Sequence, residues 1–145
     1  MTRYEFTREA GHQLEAPLAS EPVKAAAQLK ERLEYLNLTR DHFRVSVEKF
    51  RVTVVGDAAL QEQKEKILLA LGNVAGVAEV EDRVAAGQEG LLPRFLTVKE
   101  GETLSDVALR AYDDPTAGKR LLTANHPMLT DGNAIYPGLV LRAPE

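Results

Sequence analysis

The sequence is most informative at first through what it lacks. None of its 145 residues is cysteine, which excludes disulfides, thiolate metal sites and a cysteine nucleophile. No run approaches the roughly 18 consecutive apolar residues of a membrane-spanning helix. Met1–Phe6 carries charges every few residues and no apolar segment, so a secretory signal is not expected. There is no excess of positive charge: 18 Lys and Arg stand against 22 Asp and Glu, a net charge of -4, so no nucleic-acid partner is expected. The three histidines, His12, His42 and His126, lie far apart without a second His or paired carboxylate at ligand spacing, so no zinc site is expected. Ser46, Thr103 and Ser105 have no histidine in a motif context, which leaves a hydrolase triad without support. No glycine-rich loop precedes a helix in the manner of a phosphate-binding loop. What remains, 44% apolar and 28% charged, is the composition of a soluble globular protein, read here as non-enzymatic and cytoplasmic.

In order along the chain, residues 1–19 are mixed. Phe6, Ala10 and Leu14 fall at helical spacing and Gly11 and Pro17 interrupt them, predicting a short helix or turn that must dock on something to persist. Ser20-Glu21-Pro22 reads as a helix start with Ser as cap, followed by an apolar stripe of Val23, Ala26, Ala27, Leu29, Leu33 and Leu36. Phe43–Val47 and Arg51–Gly56 alternate and predict an antiparallel hairpin. Asp57 is read as the cap of a helix from about Ala59 to Leu71. Val77, Val80 and Val84 then predict a third strand, with Glu79, Glu81 and Asp82 facing water. The sum is an α+β unit over 20–85, helix-strand-strand-helix-strand, with a three-stranded sheet and two helices on one face. A linker is expected over 86–93. Residues 94–145 predict a second α+β unit: strand Phe95–Val98, a helix capped by Thr103, a break at Asp113-Asp114-Pro115, a second helix ending at Asn125, and strand Leu139–Leu141.

The stretch Leu71–Val77 stands out. Gly72 sits where a helix needs a left-handed residue to stop. Two glycines within five residues let the backbone turn tightly, and the last carbonyls of the helix lack partners and carry its negative end. Such a loop can aim several C=O groups at one point, an arrangement that suits a weakly hydrated cation such as K⁺. It can equally be a plain helix–strand connection.

Three groups of residues carry a resemblance to known families. Phe95–Leu104, Asn125 and Ile135–Leu141 resemble a LysM module, with Glu102 where that family more often has Asp. Val52–Gly56 and Gly76–Val80 resemble a BON domain. Together with Phe6, Ala10-Gly11 and Gly72-Asn73, the order of the two resembles a family of small cytoplasmic bacterial potassium-binding proteins of BON–LysM architecture. The resemblance implies K⁺ held by backbone carbonyls of Thr7, Ala10, Gly72, Val74 and Val77, with residues 1–19 docking on the BON unit and the chain compacting on binding. It implies a monomer that senses or buffers K⁺, with an intramolecular BON–LysM contact. Thr7 stands where relatives carry an apolar residue. The same resemblance offers an alternative, an envelope protein binding N-acetylglucosamine polymers of peptidoglycan through Gly101, Glu102, Thr103, Leu104, Ala134, Ile135 and Tyr136.

Overall fold

The computed structural model describes residues 2–39, 43–86 and 93–144. His42 and almost all of the expected 86–93 linker lie outside these residues. Two hydrophobic cores organise them. The first belongs to a four-stranded sheet in the order β1-β4-β3-β2, built from β1 (Thr2–Glu5), β2 (Arg44–Glu48), β3 (Arg51–Ala58) and β4 (Glu79–Ala86). Helices α1 (Pro22–Tyr35) and α2 (Gln61–Gly72) pack against it.

The hairpin follows from strict alternation. Val45 and Val47 pair with Val54 and Val52, so all four share the face that meets the helices. β4 runs parallel to β3 with Val80 beside Val52 and Val84 beside Gly56, continuing that face. Ala25, Leu29 and Leu33, one turn apart on α1, close over it, as do Ile67, Leu68 and Leu71 from α2. The α1 stripe is therefore rotated from the expected one: Val23 is exposed, and Ala25 takes its place. Pro22 opens α1 as expected, but Glu21, not Ser20, is the cap residue and makes no side-chain cap bond. Asp57 belongs to β3, and α2 starts later, behind Leu60.

Two larger corrections concern the sheet. The expected three strands are four, because Thr2–Glu5, for which no strand was expected, pairs antiparallel with β4, Thr2 opposite Asp82 and Glu5 opposite Glu79. Of the short helix or turn expected to end near Gly11, the structure has the turn, at residues 8–11, preceded by this strand. Glu81 and Asp82, expected in water, are buried. Glu81 lies between Arg3 at 3.3 Å and Arg83 at 2.9 Å, and Asp82 meets Lys64 of α2 at 3.0 Å. Buried carboxylates need such partners, and here Arg3 and Lys64 come from distant parts of the chain while Arg83 stands on the same strand.

The second core lies in residues 93–144. β5 (Phe95–Thr97) pairs antiparallel with β6 (Val140–Arg142), and α3 (Leu104–Tyr112) and α4 (Gly118–Ala124) connect them through a 3₁₀ turn at Pro115–Ala117. Thr103 caps α3 in a capping box with Asp106. Asp113 ends α3 in the left-handed conformation, and Asp114 caps the 3₁₀ turn. The buried Asn125 amide bonds Leu121 O and Arg142 O, and its oxygen accepts from Arg142 N, tying α4 to β6.

The two units touch along α2 and β6. The Asn73 side chain, just past α2, donates to Val140 O at 2.8 Å and accepts from Val140 N at 2.9 Å. Arg142 reaches Glu65 at 3.2 Å, both side chains buried. Tyr4 and Phe95 meet edge to face at 5.4 Å.

Candidate cation site at the junction of the N-terminal turn and the α2–β4 loop

After β1 the chain bends back at Gly11 and runs beside the loop 73–78. Four backbone hydrogen bonds join the two. Phe6 N donates to Ala78 O at 2.9 Å, Gly76 N to Arg8 O at 2.7 Å, His12 N to Asn73 O at 2.9 Å and Ala75 N to His12 O at 2.8 Å. The Arg8 guanidinium covers the Phe50 ring at 3.6 Å from its centroid.

Three glycines make the approach close enough. Gly72 is helical rather than left-handed, contrary to the sequence expectation, and Asn73 at φ -82° is the cap residue. Gly72 is needed for space: a Cβ there would stand 2.1 Å from the Phe6 ring. Gly11, at φ +116°, would place a Cβ 2.5 Å from the Asn73 backbone. On the other side the turn at Gly138 would place one 2.9 Å from Ala10 Cβ and 3.0 Å from Thr7 Cγ2. The Thr7 methyl therefore packs on this turn, which answers the question of how a threonine is accommodated at that position. Residues 7–11 lie between the α2–β4 loop and the Gly138 turn of the second unit.

The carbonyls at this junction can be accounted for one by one. Those of Arg8, His12 and Asn73 are taken by the bonds above. Thr7 O accepts from Ala10 N and Val74 O from Val77 N, both at 3.1 Å in tight turns, and each keeps a second lone pair. The carbonyls of Ala10, Gly72 and Val77 accept no backbone hydrogen bond among the described residues. The same is true of Gly11, Ala75 and Gly76, so spare acceptors belong to the whole junction. No group of three or more His, Asp or Glu side chains among the described residues could hold a metal ion. What the junction offers a cation is main-chain oxygens. Burial, with Arg32 adding to it, pulls the His12 imidazole below its ordinary range, which favours its neutral form beside the junction.

Sequence reading placed the five carbonyl residues on two segments, and the structure brings these segments together. It missed Phe6 as the ring that requires Gly72, Asn73 as the clamp to β6, and Gly138. The glycine pattern was a signal for the last of these. Asn73→Ala leaves the N–H and C=O of Val140 without partners. It is expected to cost about 2–3 kcal/mol, read from the denaturant midpoint against the unsubstituted chain.

The residues of the sugar-binding alternative have internal duties. Glu102 bonds Arg110 at 2.8 Å and accepts from Lys99 N at 2.7 Å, and the Arg110 bond holds its carboxyl below the usual range. The Thr103 hydroxyl is used in the cap. Leu104 approaches Gly132, within 3.1 Å of where a Cβ would stand, so the loops of 101–104 and 132–136 are neighbours. Gly101 turns the chain at φ +80° with open space around it. Ile135 and Tyr136 pack on the second core. No helix among the described residues is long and apolar enough to cross a membrane.

Residues 23–88 match the BON domain family. Over its whole length the chain is 37% identical to the potassium binding protein Kbp of Escherichia coli O6:H1, strain CFT073, the alignment of 149 positions covering 100% of this chain and 99% of that protein.

Proposed function

The chain belongs to the Kbp family of BON-domain proteins, and from that premise we propose that it binds K⁺ at the junction of the N-terminal turn with the α2–β4 loop. The relative's name supplies the ion. The observation that carries its placement is the set of spare carbonyls where these two segments meet, in a region without a carboxylate cluster. The ligands are the main-chain oxygens of Thr7, Ala10, Gly72, Val74 and Val77. A neutral oxygen cage lets a large monovalent ion shed its weakly held water, whereas Mg²⁺ dehydrates reluctantly and keeps several waters. Because the oxygens come from two segments, the ion is a further tie between them, and binding and docking of the tail strengthen one another.

In this reading residues 20–85 form the BON domain, 94–145 a LysM domain, and 86–93 the linker. The protein is a non-enzymatic cytoplasmic monomer that senses or buffers K⁺. The LysM domain serves as a brace: its Gly138 turn backs the residues that offer Thr7 O and Ala10 O.

A melting series in alkali chlorides tests the proposal. At a K⁺ concentration 100 times its dissociation constant, binding to the folded state alone adds about 2.7 kcal/mol. The melting temperature should therefore rise more with KCl than with equimolar NaCl. Equal rises would reduce the effect to ionic strength and overturn the assignment. Removing residues 2–14 should erase the difference between the two salts.

A further inference from the structure

Beside the junction lies a cavity of about 270 Å³ between the two units. Gly11, His12 and Asn73 line one side, and Thr130, Tyr136 and Val140 another. α1 contributes Arg32, the one permanently charged side chain of the lining, which contains no carboxylate. The Arg32 Nε is shielded from solvent and has no hydrogen-bond partner. Among the described residues Arg32 takes part in none of the ion pairs. Arg32 as a whole is half-buried, but an N–H shielded from water without a partner is costly, and the buried Glu65, Glu81, Asp82 and Arg142 all have counter-charges. The cavity exceeds the room of a single water, about 30 Å³ of liquid volume. Much of the rest of its wall is apolar, with Leu69, Met128, Leu129 and Leu141.

We propose that this cavity binds a small organic monocarboxylate, its planar head on Arg32 and the Tyr136 hydroxyl and its body against the apolar wall. The guanidinium fork matches a carboxylate in shape and in charge. A phosphate dianion would bring a second negative charge that the cavity does not neutralise. Tyr136 and Arg32 line the same cavity, and burial lowers the affinity of Arg32 for its proton while Tyr136 and Tyr35 oppose this. The proposal has a second part, which rests on the K⁺ reading. Gly11 and Asn73 are next to Ala10, Gly72 and Val74, so one turn and one loop border both places. Filling the cavity fixes the walls that carry the carbonyls, and each ligand tightens the other.

The test uses the full chain and sodium salts of acetate, butyrate and phosphate at constant ionic strength, with NaCl as reference. Binding is followed by calorimetry and by the amide signals of Gly11 and Asn73. Butyrate is expected to bind and to raise the melting temperature, with acetate weaker and phosphate equal to NaCl. Arg32→Gln should melt no lower than the unsubstituted chain without carboxylate, since it removes an unpaired charge, and should lose the butyrate response. Tyr136→Phe, which deletes one hydroxyl, should weaken butyrate several-fold. Replacing Na⁺ by K⁺ should tighten butyrate about 5-fold or more. A butyrate response retained in Arg32→Gln, a phosphate response equal to it, or a response to neutral N-acetylglucosamine instead would overturn the carboxylate site. No response to any anion, with the KCl effect intact, would overturn the site and spare the K⁺ reading. Butyrate binding that is equal in K⁺ and Na⁺ would overturn the coupling alone.

Discussion

Gly11→Ala is expected to release the N-terminal turn from the α2–β4 loop and to abolish the difference between KCl and NaCl, while leaving both hydrophobic cores folded. Two penalties combine. The backbone at φ +116° is one that residues with a Cβ rarely adopt, at a cost of about 1–3 kcal/mol. The added Cβ would also meet the Asn73 carbonyl group at 2.5 Å, and this neighbour is backbone, which cannot swing aside as a flexible side chain can. The docked turn gives way before the cores do, because its four bonds to residues 73–78 can open locally. Hydrogen exchange at Ala75 and Gly76, whose N–H groups are paired with His12 and Arg8, should accelerate by two orders of magnitude or more if docking loses about 3 kcal/mol. Gly101→Ala is the control. Its φ of +80° imposes similar strain, but nothing stands within 4 Å of the added carbon. It should lower stability by about 1–2 kcal/mol and keep the salt difference. If Gly11→Ala still distinguishes the two salts, the turn is not part of the ion site.

The contrast between these glycines shows where the sequence was legible and where it was not. Alternation at Val45, Val47, Val52 and Val54 revealed the hairpin because both strands and their turn are contiguous, and the Thr103 cap was readable within four residues. The strand Thr2–Glu5 was not readable. Its outward residues Arg3 and Glu5 are charged, and what makes it a strand is pairing with β4 nearly eighty residues later. Burial of Glu81 and Asp82 was hidden for the same reason, since Arg3 and Lys64 are remote in sequence. Gly72 was singled out correctly but for another cause: a helical glycine kept bare by Phe6 looks, in sequence, like a left-handed stop. The segments of the candidate site could be named from a resemblance. Their approach depends on clamps, such as Asn73 on Val140, that periodicity does not reveal.

Glu65→Ala is expected to be the most destabilising single change on the face between the two units. Glu65 and Arg142 meet at 3.2 Å with side-chain exposures of only 9% and 8%. Deleting the carboxylate strands a guanidinium in a nearly dry interface, at a cost of about 3–5 kcal/mol. For a chain of this size that corresponds to roughly 10–16 °C in melting temperature. Glu62 cannot take over: it lies 4.0 Å from Arg142, is half exposed, and already pairs with Lys66 at 2.9 Å. The pair itself is a different matter from its rupture. Glu65→Leu with Arg142→Met replaces two buried charges by apolar groups of similar size and should recover most of the loss, with the residue set by the Arg142 bond to Ala124 O. The cycle also bears on ion binding, because Glu65 lies on α2, whose end forms one wall of the proposed site. If the second unit braces that wall, Glu65→Ala should weaken the KCl response and the double variant should restore it. A KCl response unchanged in Glu65→Ala, in a protein that has lost 3 kcal/mol or more at this contact, would mean that the first unit and its N-terminal turn hold the ion without help from β6.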